Sequence, residues 1–96
     1  MIRPDEATIE AATKESWAAM FRDQPEKDWD VMNSEYPEII DAHRRMVRAA
    51  FAAEFNPEQS VRIATDGRYQ YEDMLDTGKK FQKELCQFLR RWWDNQ

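Results

Sequence analysis

Three stretches of the chain place apolar side chains at helical spacing. In the first, Ile9, Ala12, Thr13, Ser16, Trp17, Met20 and Phe21 recur along one face. Pro4, Asp5 and Glu6 suit its start, because proline fits a first turn and carboxylates favour the positive end of the helix dipole. With Pro25 beyond its end, this helix is predicted over about residues 5–22. In the second, Ile39, Ile40, His43, Met46, Val47, Ala50, Phe51, Glu54 and Phe55 share a broad face, and Arg44, Arg45 and Arg48 lie opposite, near Asp41. Ser34 is the expected cap and Pro37 is tolerated in the first turn, which predicts a helix over about residues 35–55. Residues 23–35 read as a polar connection from which Trp29 plugs the core, out of a loop or a short helical turn.

In the third, Tyr71, Met74, Gly78, Phe81, Leu85, Phe88 and Trp92 alternate spacings of three and four, an a/d seam over three heptads. Leu75, Cys86, Leu89 and Trp93 widen the seam, and Lys79, Lys80, Lys83, Arg90 and Arg91 mostly fall away from it. The predicted helix spans about residues 71–94. Gly78 is disfavoured by about 1 kcal/mol against alanine there, so it marks a kink or a close helix approach.

The segment 56–71 supports two readings. As a helix it has Asn56 as cap, Pro57 in the first position, Gln59 completing a capping box and Gly67 as a left-handed stop. As a hairpin it turns at Thr65-Asp66-Gly67, pairs Ile63 with Tyr69 and Val61 with Tyr71, and puts those four side chains on one face. The expected fold is therefore mainly α. Three principal helices (about 5–22, 35–55 and 71–94) form a small bundle, with a short helix or β-hairpin at about 57–70. Its expected core is Ile9, Trp17, Met20, Ile40, Val47, Phe51, Phe81, Leu85, Phe88 and Trp92.

Composition narrows the class. Ninety-six residues, 42% of them apolar, suit one domain with a core that needs no staples. The single cysteine, Cys86, cannot close an intramolecular disulfide, which fits a reducing compartment. The N-terminus lacks a basic region followed by an apolar one, and runs such as Ala49–Ala53 are far shorter than a membrane span, so a cytoplasmic location is expected. The net charge of −5 is uneven. Residues 1–42 carry eleven acids and four bases, −7, and residues 43–96 carry eight acids and ten bases, +2. Such a molecule repels a polyanion at long range, although its second part could attract one weakly.

The stretch Trp29-Asp30, then Tyr36, then His43-Arg44-Arg45-Met46-Val47-Arg48-Ala49-Ala50-Phe51 resembles small uncharacterised open reading frames of bacteriophages and prophages. Those carry an alanine-rich helix, a Trp-Asp pair and a closing helix of the form Arg-x-x-Ala-Arg-Ala-Ala-Leu. Here Val47 and Phe51 replace the usual alanine and leucine, and the likeness covers about residues 8–55. It implies a mobile-element origin and a host-takeover or anti-defence role, and it names no active site.

Candidate chemistry is sparse. His43 falls on the apolar side of its helix and reads as a locally bonded core-edge histidine. Cys86 reads as a packing thiol, and one histidine with one cysteine cannot make a structural zinc site. Glu72, Asp73 and Asp76 match no calcium loop, and two glycines build no phosphate loop. No enzyme activity, metal or cofactor is expected. The leading expectation is a protein-binding module of phage derivation that occupies a surface of a host or phage protein, with an anti-CRISPR-like inhibitor as one form. Its contact candidates are Arg90, Arg91, Trp92 and Trp93, since tryptophan and arginine dominate binding hot spots. The acidic residues Asp23, Glu26, Asp28 and Asp30 come second, and acids of the first third could also imitate nucleic-acid phosphates. Two alternatives stand beside it. One is a nucleic-acid-binding accessory protein using Arg44, Arg45, Arg48, Lys79, Lys80 and Lys83, and the other is a homodimer through the C-terminal heptads.

Overall fold

The computed structural model describes residues 2–96. Asp5 opens the first helix, α1 (Glu6–Met20), by accepting a hydrogen bond from the Thr8 amide at 2.8 Å. The helix buries Ile9, Ala12, Thr13, Ser16 and Trp17, mostly small residues, against the third helix. Phe21 caps its C-terminus, and the Trp17 indole N–H donates to the Lys27 carbonyl at 2.6 Å, tying down the 3₁₀ turn Pro25–Lys27.

The polar connection expected over 23–35 holds a helix of its own, α2 (Trp29–Glu35). Asp28 caps it by accepting from the Asp30 amide, and it stops at Tyr36 because the residue before a proline resists the helical region. Met32 is buried and Trp29 packs beside it against Trp17 and Ile40. Ser34 lies exposed within α2 and caps nothing. The next helix, α3 (Pro37–Ala52), begins on Pro37 itself, whose missing N–H costs a first turn nothing.

Helix α3 runs antiparallel to α1, with Glu6 paired to Arg48 and Glu10 to Arg44. It ends in a Schellman turn. The Phe55 amide bonds the Ala50 carbonyl at 2.7 Å, and Glu54 and Phe55 both take positive φ, 51° and 67°. Phe55 is held in that conformation by its ring, which meets Phe51 edge-on at 5.2 Å.

Residues 57–64 form α4 (Pro57–Ala64), so the helical reading of this segment holds and no strand occurs among the described residues. Asn56 accepts from the Gln59 amide at 3.0 Å. The stop is again a Schellman turn, with Gly67 N–H to the Arg62 carbonyl at 2.8 Å. Here Asp66 (φ 53°) occupies the left-handed C′ position before Gly67 (φ 78°). A side chain at that φ strains the backbone, and glycine removes the strain while adding unfolded-state entropy. Asp66→Gly is expected to stabilise the protein by about 0.5 kcal/mol, seen as a small rise in thermal midpoint. An unchanged or lower midpoint would show that Asp66 is not strained.

The last helix, α5 (Asp76–Asp94), starts later than the heptad pattern predicts. Tyr71–Asp73 is a single 3₁₀ turn, and Met74 and Leu75 are extended. Gly78 lets Met74 fold back on the helix, since a Cβ there would lie 2.9 Å from the Met74 methyl. The close approach is therefore to a side chain of the preceding turn. The buried stripe of α5 is Gln82, Leu85, Cys86 and Leu89, rotated from the expected seam, while Phe81, Phe88 and Trp92 sit half-buried at its edge. An a/d seam is the width for one partner helix, whereas α5 lies against α1, α3 and α4 together. Met20 is likewise half-buried, and Ala12, Ala49, Ala50, Met32, Val61, Cys86 and Leu89 join the core. Among the described residues, no helix is long and apolar enough to cross a membrane.

Candidate functional site

The C-terminal tryptophans are committed to the fold. Trp93 meets Phe51 edge-on at 5.4 Å, and the Trp92 indole N–H donates to the Glu15 carboxylate across to α1. Arg90 and Arg91 remain exposed. Asp23, Glu26, Asp28 and Asp30 gather as exposed residues around the start of α2, but Asp28 is used as a cap and Lys27 lies among them over the Phe21 ring. Of the basic strip on α3, Arg44 is bonded to Glu10 at 2.8 Å and to Asp41 at 2.5 Å, and Arg48 to Glu6 at 2.5 Å. Arg45 is exposed. Lys79 sits 5.9 Å over the Tyr71 ring, and Lys80 and Lys83 are exposed on the other strip. The heptad seam is engaged within the molecule, with Leu85 wholly buried.

His43 and Ser16 form a buried pair, with Nε2 2.9 Å from the hydroxyl. Burial pushes the His43 pKa down to about 4. Ser16 is fully enclosed, so this pair offers no nucleophile to a substrate. Cys86 is 2% exposed beside the Ser60 hydroxyl, and burial pushes its thiol up, the opposite of an activated cysteine. No group of three or more metal-ligating side chains is gathered among the described residues.

The surface that stands out is apolar. A groove of about 440 Å³ runs between α3, α4 and the start of α5. Met46 supplies one wall, Val61 and Ala64 a second, and Met74, Leu75 and Gly78 a third, with Tyr69 at the rim and Gln82 in the floor. Leu75 is 81% exposed and Tyr69 64%, the two most exposed large apolar side chains among the described residues. The groove continues past Met46 into a hollow lined by Glu38, Asp41, Ala42 and Arg45. On the other side of α3 a third hollow, about 270 Å³, is lined by Trp17, Phe21, Met32, Ile39, His43 and Phe81, again with Met46. Ile39, Ala42 and Met46 thus make a ridge flanked by hollows.

Pattern reading placed Met74 and Leu75 in a continuous helical seam and so missed this surface. The signal for it was compositional. Val61, Ile63, Tyr69, Tyr71, Met74 and Leu75 are more apolar residues than one short helix can bury. No protein-family model, curated protein or solved structure matches this chain.

Proposed function

We propose that this protein is a non-enzymatic binding module whose contact surface is the groove beside Met46 together with the Ile39–Ala42–Met46 ridge. The observation that carries the reading is Leu75, held 81% exposed at the edge of an apolar groove. A contiguous apolar surface with a polar surround is what a partner helix buries. The C-terminal arginines, expected as contacts beside the two tryptophans, stand beside tryptophans that are half-buried and packed against the core, which leaves less apolar surface there than in the groove. The resemblance over 8–55 to phage and prophage reading frames supports a host or phage protein as the partner, a host defence complex included.

The test is capture from bacterial lysate, with and without nuclease, by the wild-type chain and by Leu75→Glu. Leu75 touches solvent, so the variant leaves the fold intact. The expected result is a stoichiometric protein that survives nuclease and is lost with Leu75→Glu, a weakening of about thirtyfold or more for a hot-spot position. Retention by Leu75→Glu with loss on Arg91→Ala would move the contact to the end of α5. Recovery of nucleic acid alone would favour Lys80 and Lys83 instead.

A further inference from the structure

Gln82 is only 7% exposed and lines the groove, and its amide, bonded to no other side chain among the described residues, is left to the solvent that fills the groove. The neighbouring Thr65 hydroxyl is already used, donating to the Val61 carbonyl and accepting from the Tyr69 amide. A purely aliphatic occupant would seal the Gln82 amide from water and weaken its own binding. The occupant therefore has to bring apolar bulk together with a hydrogen-bonding tip, the combination found in tryptophan and tyrosine. The walls agree, because Met46 and Met74 are flexible thioethers that pack favourably on aromatic edges. Charge sets the rest of the segment. The charged residues lining the groove and its continuation are Glu38, Asp73 and Asp41, the last already bonded to Arg44, against Arg45.

We infer that the groove takes an amphipathic helix of a partner protein, anchored by a tryptophan or tyrosine that reaches the Gln82 amide and flanked by basic residues. The inference rests on the groove-binding reading and adds the chemistry of the occupant.

Short lysine–alanine helical peptides carrying one central tryptophan or one central leucine provide the probes. A tryptophan peptide with glutamate for lysine is the charge control. Each is titrated into the isotope-labelled full chain while amide shifts are followed. The tryptophan–lysine peptide is expected to move the amides of Val61, Ala64, Gly78 and Gln82 and to bind about tenfold tighter than the leucine peptide. The glutamate peptide binds more weakly than its lysine counterpart. Gln82→Leu abolishes the tryptophan advantage and leaves leucine-peptide binding as tight or tighter. Gln82→Met, closer in shape, serves if leucine perturbs the helix. Equal binding of tryptophan and leucine, or an advantage that persists in both Gln82 variants, overturns the anchor while leaving the groove as a binding surface. Tighter binding of the glutamate peptide overturns the basic flanks. The absence of groove shifts with every peptide overturns the inference as a whole, and Leu75→Glu capture judges the groove reading independently.

Discussion

Phe51→Ala will remove about 3–5 kcal/mol of folding stability, a large part of what a domain of this size has. Phe51 is 1% exposed and the largest fully buried side chain. It packs in one cluster with Ile9 and Ala12 of α1, Val47 and Ala50 of α3, and Leu85, Cys86 and Leu89 of α5. Its ring is met edge-on by Phe55 and by Trp93. Truncation therefore opens a cavity where several helices converge and strips two aromatic pairs at once. It also removes the contact that holds Phe55 in a left-handed conformation. A thermal midpoint lower by on the order of 20 °C follows for about one hundred residues. Phe51→Leu, which refills most of the volume, is expected to cost about 1–1.5 kcal/mol. A Phe51→Ala midpoint within a few degrees of wild type would mean that the core does not converge on this ring.

Phe51 shows what was legible and what was not. Its burial follows from one helix face, Ile40, Val47 and Phe51 recurring at helical spacing, and the structure buries all three. Caps built from local chemistry were equally legible, as at Asn56 with Pro57 and Gln59. Pattern alone failed where tertiary contact decides. Met74 fits the heptad as well as Phe81 does, yet α5 starts only at Asp76, and nothing in the pattern records where the backbone must turn after α4. Leu89 and Cys86 looked like the flank of a seam and are its centre, since α5 meets three helices. The hairpin reading was consistent in its side-chain pairing, but an isolated hairpin is marginal, whereas α4 is capped at both ends and packs along α3. For the site, the tryptophan and arginine content of the C-terminus was visible and the groove was not. A groove is a gap between elements distant in sequence, and Met46, Ala64 and Gln82 share no local pattern.

Acid will destabilise the fold through His43, by about 3 kcal/mol between pH 6.5 and pH 4. The ring is 3% exposed, lies edge-on to Trp17 at 5.3 Å and to Phe81 at 6.5 Å, and shares one hydrogen bond with Ser16. Burial among those rings disfavours the imidazolium and holds the folded-state pKa down to about 4, whereas the unfolded chain takes the proton at about 6.5. Across that window the unfolded state binds more protons, so stability falls as the pH is lowered and is level above it. Asp5 and Glu10 titrate differently. Hydrogen bonds from Thr8 and Arg44 respectively hold their carboxyls below the usual range, so their contributions are present above the ordinary carboxylate pKa and are lost only at more acid pH. His43→Gln separates the two effects, because glutamine offers Ser16 a hydrogen bond and cannot titrate. Urea unfolding near pH 7, 5.5 and 4 is expected to show wild type losing about 3 kcal/mol and the glutamine variant less than about 1 kcal/mol. An equal loss in both would place the proton uptake elsewhere. The same ring lines the hollow beside Met46, so the group that titrates lies beneath the ridge of α3. Amide protection along α3, corrected for the slower intrinsic exchange in acid, would then fall with falling pH in wild type and stay level in His43→Gln.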